Sequence, residues 1–485
     1  MKQIAEGALE AAVRGGVSYA DVRVVESRER HVSTKNGKTG HLSSTESQGA
    51  GIRVLINGCW GFAATDDLSR RGLGSAAALA CEIARSSALA KKHDVQLAPE
   101  DSYQAVWRSP CRIDPFSIPV EDNLELLLAI DRELRRDPGV TLAEGSMVFA
   151  RTRQVFASSL GSLIDQTRIT SGAGFVAYSY KDGEIQKRSY PNSFDGQHQL
   201  KGYELIAELQ LLENAPRVAE EAVALHSAAQ CPEGLFDLIL DSSQLALQIH
   251  ESIGHPIELD RVLGSEANYA GMSFLTLDQL NRLRYGSQIV NVVADARLEH
   301  GPGLGAFAFD DEGVPAQRTG IIRNGLFTGY LSSRETAVQA GLLRSNGAMR
   351  ADGWARLPLI RMTNISLLPG QQSLEEVLAG SPQAIYMETN KSWSIDDRRY
   401  HFQFGCEIGW EIRDGRRVRM LKNPSYSGIT TEFWNSCQAI ADRRHWVLWG
   451  TPNCGKGQPE QVMGTGHGAS PARFRGVKVG SAYAG

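Results

Sequence analysis

The spacing of hydrophobic positions changes several times along the first hundred residues. Residues 2–13 have apolar side chains at helical spacing and are followed by Gly15-Gly16, a pattern typical of a helix that ends there. The period then becomes two, which predicts strands over residues 20–26, 31–34, 40–44 and 50–56. Asn57-Gly58 predicts a hairpin turn, and Thr65-Asp66-Asp67 predicts the cap of a helix over residues 68–89. This first unit is therefore expected to be α+β.

The middle of the chain repeats this mixture after a polar, proline-containing passage over residues 91–118, which indicates a junction. Helices are predicted over residues 123–136 and 203–228. Alternating and β-branched residues predict several strands between 140 and 180.

A change of pattern near residue 231 indicates a second half that is mainly β. It begins with a buried strand over residues 238–240, and Asp241-Ser242-Ser243 offers N-cap candidates for the next helix. Asn324-Gly325 predicts another hairpin. Strand-like runs follow at residues 289–294, 320–322, 329–331, 385–388, 402–407, 410–413 and 417–421.

The fold class expected from these elements is α+β. An N-terminal half resembling an α/β sandwich, with two subdomains, is followed by a mainly β C-terminal half that carries the helix of a candidate metal site. The predicted domain ranges are 1–105, 106–230 and 231–485.

Composition narrows the classes of protein that this chain can represent. Its 485 residues suit two or three domains, and 42% hydrophobic with 22% charged residues is typical of a globular protein. A net charge of -4 without a long Lys/Arg run gives no reason to expect nucleic acid binding. We expect no membrane span, because no apolar run approaches 18 residues, and the N-terminus lacks the apolar region of a secretion signal. Seven scattered cysteines do not form a disulfide pattern, so we expect a cytoplasmic protein whose thiols are free to bind metal.

The strongest chemical signal is His250-Glu251-Ser252-Ile253-Gly254-His255. Two imidazoles can bind zinc, and a neighbouring carboxylate can accept a proton from metal-bound water. Residues five apart lie about 500° around a regular helix, so their rings point about 140° apart. One turn of π-helix would bring them together, and Gly254 would equally permit the helix to end or unwind before His255. A metal site therefore requires a distorted helix over residues 252–255, whereas a regular helix would favour ordinary surface histidines.

A catalytic zinc site usually has three protein ligands, and the two histidines supply only two. Cys454, in the Gly-flanked turn Asn453-Cys454-Gly455, is the best third candidate among the cysteines. A lone cysteine in a loop is more often a small buried hydrophobic residue, so its position beside the histidines has to be shown by the structure.

Four motifs in the second half carry a family resemblance: HESIGHPIELDRVLG from His250, DDEGVPAQRTGIIRNGLFTGYL from Asp310, RMTNISLLPG from Arg361 and NCGKGQ from Asn453. Together they resemble the TldD/PmbA family, once described as modulators of DNA gyrase. SYADVRVVESRE and GAGIRVLINGCWGFAATDDLS resemble its first domain, so the likeness covers most of the chain. The HExxxH motif resembles the TldD-like members rather than their PmbA-like (TldE) partners, which lack it.

The resemblance implies a zinc metallopeptidase that acts on short or unfolded peptides. It implies one zinc ion per chain, with His250, His255 and Cys454 as ligands and Glu251 as general base. It also implies a homodimer, or a heterodimer with a PmbA-like (TldE) chain, around a narrow chamber. Residues 392–434 lack the Gly-rich run of many relatives, which leaves the substrate preference open.

Three further residues are candidates for substrate binding. Asp310 and Asp311 could position substrate or support a ligating histidine, although a solvated turn explains them equally well. His401, like His467, could hydrogen-bond an oxyanion, but a surface or packing role is the commoner one. Two alternatives to the peptidase also stay open: a peptide-binding or regulatory protein with a structural metal, and a zinc hydrolase for a non-peptide amide.

Overall fold

An eight-stranded sheet occupies the first half of the chain. The computed structural model describes residues 1–269 and 271–481. The strands of this sheet are β1 (Tyr19–Lys35), β2 (Lys38–Ile56), β3 (Cys59–Thr65), β4 (Gln104–Arg108), β5 (Leu142–Ser158), β6 (Leu163–Lys181), β7 (Glu184–Tyr190) and β8 (Gln197–Gln199). Their order is β3-β2-β1-β5-β6-β4, and β7 and β8 also pair with β6. All neighbours are antiparallel except β4 and β6.

The strands predicted at residues 20–26 and 31–34 are parts of one strand. β1 stays paired with β2 and with β5 through its polar middle, so the separate strands expected there are wrong. The same holds for residues 40–44 and 50–56, which both lie in β2. The predicted Asn57-Gly58 hairpin is confirmed: both residues have positive φ, and they join β2 to β3.

Five helices pack on this sheet: α1 (Lys2–Val13), α2 (Arg70–Ser87), α3 (Val120–Leu134), α4 (Glu204–Glu208) and α5 (Leu211–Ala224). α1 and α2 share one apolar core, whereas α3 and α5 share another. The cap expected at Thr65-Asp66-Asp67 is wrong, because Ser69 Oγ accepts the bond from Gly72 N. The single helix expected over residues 203–228 is also wrong: Gln210, with φ 48°, separates α4 from α5.

The second half is mainly β, as predicted. Its strands are β9 (Ala229–Gln230), β10 (Gly234–Leu240), β11 (Val292–Asp295), β12 (Arg318–Arg323), β13 (Leu326–Phe327), β14 (Met349–Arg350), β15 (Leu359–Ile360), β16 (Asn364–Leu367), β17 (Gln383–Ile395), β18 (His401–Arg413), β19 (Arg416–Lys422), β20 (Pro424–Ile429), β21 (Cys437–Ile440), β22 (Val447–Lys456), β23 (Gln461–Ala469) and β24 (Ala472–Ser481). The Asn324-Gly325 turn joins β12 to β13, as predicted. Residues 329–331 form only an isolated bridge, so the strand expected there is wrong.

Two sheets surround the segment that contains the candidate site. In one, the order β17-β10-β24-β20-β18 closes on itself through β17 and β18, which makes a five-stranded barrel. The other has the order β13-β12-β11-β16-β23-β22, so β22 is an edge strand. The helices of this half are α6 (Ser242–Ile249), α7 (Leu259–Val262), α8 (Arg334–Gln339), α9 (Leu374–Ala379) and α10 (Thr430–Asn435).

The predicted α+β class is confirmed. Both predicted N-terminal units contribute strands to the first sheet, and the domain boundaries themselves stay predictions. A search of the helices over residues 1–269 and 271–481 finds none with the length and apolar character needed to cross a membrane.

Candidate metal centre

The helix that delivers His250 changes its winding at that residue. α6 starts at the predicted cap, where Asp241 Oδ2 accepts a hydrogen bond from Ser243 N at 2.9 Å. Residues His250–Gly254 then form a π-helical turn, closed by a bond of 3.1 Å from His255 N to His250 O. The wider repeat brings the two imidazoles together, with ring centroids 4.8 Å apart. The predicted departure from a regular α-helix is confirmed.

Ser252 fixes the middle of the π turn through four hydrogen bonds. Its hydroxyl donates to Gln248 O at 2.5 Å and accepts from Gln248 Nε2 at 3.0 Å and from Trp434 Nε1 at 2.9 Å. The hydroxyl of Tyr285 donates to the carbonyl oxygen of Ser252. In the π turn, the carbonyl oxygens of Gln248 and Ser252 accept these buried side-chain bonds. The bonds therefore stabilise the irregular winding.

Gly254 is required by close packing rather than by its backbone angles. A Cβ atom at this position would lie 2.1 Å from Met362 Sδ, well inside van der Waals contact. Met362 is fully buried, so it has little room to move away. The glycine therefore allows the turn to lie against Met362 directly before His255.

Cys454 lies beside the two histidines, on β22. Its Sγ is 3.9 Å from His255 Nε2, and the ligand atoms of His250, His255 and Cys454 all lie within 4.8 Å of one another. The register of β22 shifts between Thr451 and Cys454, and Arg361 donates to the carbonyl oxygen of Cys454. Each of the three ligand residues is only 4% exposed.

This set of donors fits zinc. Tetrahedral bonds to an imidazole nitrogen and a thiolate would place those two atoms about 3.5 Å apart. The separation of 3.9 Å between His255 Nε2 and Cys454 Sγ needs only a small adjustment to reach that distance. Two imidazoles and one thiolate are three protein ligands, the number usual at catalytic zinc sites.

Glu258 orients His255 from the side opposite to Cys454. Its Oε2 lies 3.0 Å from His255 Nδ1, and because a carboxylate only accepts, Nδ1 must carry the hydrogen. The lone pair on Nε2 is then available to a metal, an arrangement common among ligating histidines. Glu258 is itself held by Lys456, whose Nζ lies 3.3 Å from Oε1.

A second relay orients His250. His467 Nδ1 lies 3.2 Å from the carbonyl oxygen of Ile365, so this nitrogen carries a hydrogen. Burial lowers the pKa of His467 well below its usual range, which keeps the ring neutral and leaves Nε2 as an acceptor. His250 Nδ1, 2.8 Å away, therefore donates to it and leaves its own Nε2 for a metal. The sequence suggested an oxyanion partner or a surface or packing role for His467, whereas in the structure its Nε2 accepts from His250.

The charges within the cluster favour a thiolate. Burial raises the pKa of the Cys454 thiol, but His250 and His255 outweigh that effect, so its pKa lies well below the usual value. Burial lowers the pKa of His255 well below its usual range. Burial also acts to lower the pKa of His250, but the adjacent Cys454 outweighs it and the pKa is raised. A thiolate is the form of Cys454 that zinc binds, whereas His250 would have to release a proton before its Nε2 could bind a metal.

Glu251 lies beside the ligands and is 5% exposed. Arg399 Nη1 donates to its Oε2 at 2.6 Å. The arginine comes from the turn between β17 and β18. No sequence pattern indicated this residue.

Asp310 and Asp311 lie in the wall of a cavity of about 710 Å³. Asp310 accepts bonds from three backbone N–H groups, those of Glu312, Val314 and Met349, which shape the loop around it. Asp311 accepts from Gln154 Nε2 at 2.7 Å and is 3.4 Å from Arg23. The cavity also reaches Asn453 and Met463, the chain neighbour and the strand partner of Cys454, whereas Cys454 itself is not part of its lining.

His401 lies on the surface, where its Nδ1 is 2.9 Å from Asp396 Oδ2 and its side chain is 64% exposed. The structure therefore brings four of the predicted site residues together: His250, Glu251, His255 and Cys454. It places Asp310 and Asp311 in the wall of the 710 Å³ cavity, and it leaves His401 at the surface beside Asp396.

Family models match nearly the whole chain. The three matches are to PmbA/TldA metallopeptidase domain 1 over residues 20–84, the central domain over 113–229 and the C-terminal domain over 233–481. The chain thus consists of the three domains of a class of metallopeptidases. Within that class, it is a member of the PmbA/TldD family.

Curated relatives of similar length carry consistent names. A metalloprotease of Methanothermobacter thermautotrophicus is 30% identical over 479 residues, which cover 98% of both chains. A metalloprotease of Methanocaldococcus jannaschii is 28% identical and covers 84% of this chain and 86% of its own. A protein of Saccharolobus solfataricus named a zinc metalloprotease TldD homolog is 22% identical, with 88% and 89% covered. These names support a metal-dependent protease.

Solved structures show the same fold over the full length. A Thermotoga maritima protein superposes with a TM-score of 0.77 at 17% identity, covering 98% of this chain and 99% of its own. TldE from Thermococcus kodakarensis superposes with a TM-score of 0.74 at 14% identity, with the same coverage.

Proposed function

We propose that this chain is a zinc metallopeptidase that hydrolyses peptide bonds in short or unfolded peptides. One zinc ion per chain would be held by His250, His255 and Cys454, with Glu251 as general base. The observation that supports this most directly is the convergence of two oriented Nε2 atoms and a favoured thiolate beside a buried carboxylate.

A zinc ion held by these ligands would act as a Lewis acid and would lower the pKa of a water molecule at its open position to about 7. The protein's own part in the reaction belongs to Glu251. Its carboxylate would accept a proton as water attacks the peptide carbonyl, and it would then pass that proton to the leaving amine. A purely structural metal site would not need such a carboxylate.

The protein is also proposed to work as a dimer that encloses a peptide chamber. The partner would be a second copy of this chain or a PmbA-like (TldE) chain. The fold shared with TldE and membership of the family support this partnership. Asp310 and Asp311 would line the path of the substrate, because the cavity that they border reaches Asn453, the chain neighbour of Cys454.

The test compares the wild-type protein with Glu251→Gln on an unstructured peptide library, with and without a chelator, using mass spectrometry. We expect the chelator to stop cleavage by the wild type. We expect the variant to keep its metal, measured by elemental analysis, and to lose activity by about 10²–10⁴-fold. Cleavage by the variant at the wild-type rate would contradict the proposed base, and absence of cleavage by metal-loaded wild type would favour a peptide-binding protein.

A further inference from the structure

Arg399 makes a direct hydrogen bond to Glu251, the proposed base. Its Nη1 lies 2.6 Å from Glu251 Oε2, and the two side chains are 17% and 7% exposed. A charge-assisted hydrogen bond of this length is among the stronger polar contacts in proteins. The guanidinium is therefore held directly beside the carboxylate that is proposed to act as the base.

The turn that carries Arg399 holds a conformation that non-glycine residues rarely adopt. Arg399 has φ 65°, in the left-handed region. Its backbone N donates to Asp396 O at 2.8 Å, and its carbonyl oxygen accepts from Thr430 Oγ1 at 2.9 Å. Asp396 Oδ1 also accepts from Tyr400 N at 2.7 Å. Backbone strain that is sustained by several bonds is found most often at functional sites.

We propose that Arg399 is a catalytic residue of this site, which rests on the peptidase function proposed above. In the substrate-free protein it holds the Glu251 carboxylate, and with peptide bound it donates a hydrogen bond to the oxygen of the scissile carbonyl. Fixed donors aimed at developing negative charge give the largest single contribution to many enzymatic rates.

Hydrolysis of the peptide bond by this route needs no reactant besides water and the peptide. The water oxygen bonds to the carbonyl carbon, the π electron pair moves to the carbonyl oxygen, and Glu251 accepts one water proton. The electron pair on that oxygen then re-forms the C=O bond as the C–N bond breaks. The pair of the C–N bond goes to the nitrogen, which takes the proton from Glu251 and leaves as the amine. Arg399 keeps all its protons throughout, because a guanidinium is not deprotonated in proteins.

The experiment compares Arg399→Ala and Arg399→Lys with Arg398→Ala. Arg398 is the exposed neighbour in the same turn, so its variant loses the same charge without touching Glu251. For Arg399→Ala we expect kcat to fall by about 10²–10³-fold, with KM within a few-fold of the wild type. Added guanidinium salt should restore part of that activity. Arg399→Lys should retain an intermediate rate, which also guards against misfolding of the alanine variant.

A readout independent of turnover is the binding of a phosphinic peptide. Its tetrahedral anion resembles the tetrahedral oxyanion that forms when water adds to the peptide carbonyl. Calorimetry should show that Arg399→Ala binds this peptide weaker by a factor similar to the loss in kcat. The matching product peptide should bind nearly as it does to the wild type, and metal content should be unchanged.

Three results would overturn the proposal. If Arg399→Ala cleaves peptide at or above the rate of the wild type, the contact between Arg399 and Glu251 restrains the base and does not assist the reaction. Equal losses for the phosphinic and product peptides, or loss of metal, would show a structural role. If the wild type cleaves no peptide in any metal-loaded form, the proposed peptidase function is wrong. This failure can be told apart from a failure of the Arg399 proposal, because it is seen in the wild type alone.

Discussion

Replacing Gly254 with alanine tests whether the packing of the π turn positions His255. The added Cβ would lie 2.1 Å from Met362 Sδ, whereas ordinary contacts between such atoms are about 3.5–4.0 Å. The turn or the buried methionine must therefore move by roughly 1.5 Å. Overpacking of this kind costs about 1–3 kcal/mol, and His255 is the next residue along the chain.

We expect Gly254→Ala to lower the free energy of unfolding of the metal-free protein by about 1–3 kcal/mol, measured in urea. We also expect zinc affinity to fall by at least about tenfold, measured by competition with a chromophoric chelator, because a ligand is displaced. Gly7→Ala is the matched control, since a Cβ there meets no atom within 4 Å. It should leave zinc affinity unchanged and stabilise the helix by about 0.5–1 kcal/mol.

Adding Met362→Ala to Gly254→Ala should restore part of the zinc affinity, because the clash is removed. The effects of the two substitutions should be clearly non-additive, as expected for residues in contact. Wild-type zinc affinity in the single Gly254→Ala variant would refute the reasoning, because it would show that His255 does not depend on this close approach.

Three further predictions concern other parts of the structure. Glu258→Gln should weaken zinc binding by about 10–100-fold in the same chelator competition, because the carboxylate that fixes the tautomer of His255 is lost. Lys456→Met should lower the free energy of unfolding by about 3–5 kcal/mol in urea, since its buried partner Asp260, 2.8 Å away, keeps a charge without a cation. The hydrogen bond from Arg153 holds the pKa of Asp165 below its usual 3.8, so the stabilising effect of this carboxylate is complete above about pH 4 and is lost as the pH falls through the lowered pKa. Asp165→Asn should therefore reduce the loss in the free energy of unfolding that acid causes below about pH 4.

The controls for these variants come from the surface of the protein. Lys38→Met removes an exposed lysine and should change the free energy of unfolding by less than about 0.5 kcal/mol. Wild-type zinc affinity in Glu258→Gln would show that the carboxylate does not orient His255. A Lys456→Met variant as stable as the wild type, or an Asp165→Asn variant with the acid sensitivity of the wild type, would contradict the corresponding ion pair.

The sequence predicted the elements that depend on local signals. Asn57-Gly58 and Asn324-Gly325 form the expected hairpins because their backbones tolerate positive φ. A distortion of the helix followed from a five-residue spacing that no regular helix can place on one face, and the structure shows that its form is a π turn. The cap of α2 was misplaced because Thr65 and Asp67 use their side-chain oxygens within the preceding loop, which leaves Ser69 to accept from the helix.

Elements that depend on distant partners were less predictable. β1 continues through a polar stretch because it is paired on both sides, and sequence spacing does not show that pairing. The residues around the metal ligands behave in the same way. Glu258 had a local signal, three positions after His255, whereas His467 and Ile365 lie on separate strands that meet only in the folded sheet.

Arg399 shows most clearly where local reasoning ends. No local pattern around this turn indicates a contact with Glu251. The structure brings the two residues together across 148 positions of sequence and places Arg399 Nη1 2.6 Å from Glu251 Oε2. If Arg399 acts as proposed, its removal changes the surroundings of the reacting atoms themselves, and kinetic comparison of Arg399 variants on one substrate measures that contribution directly.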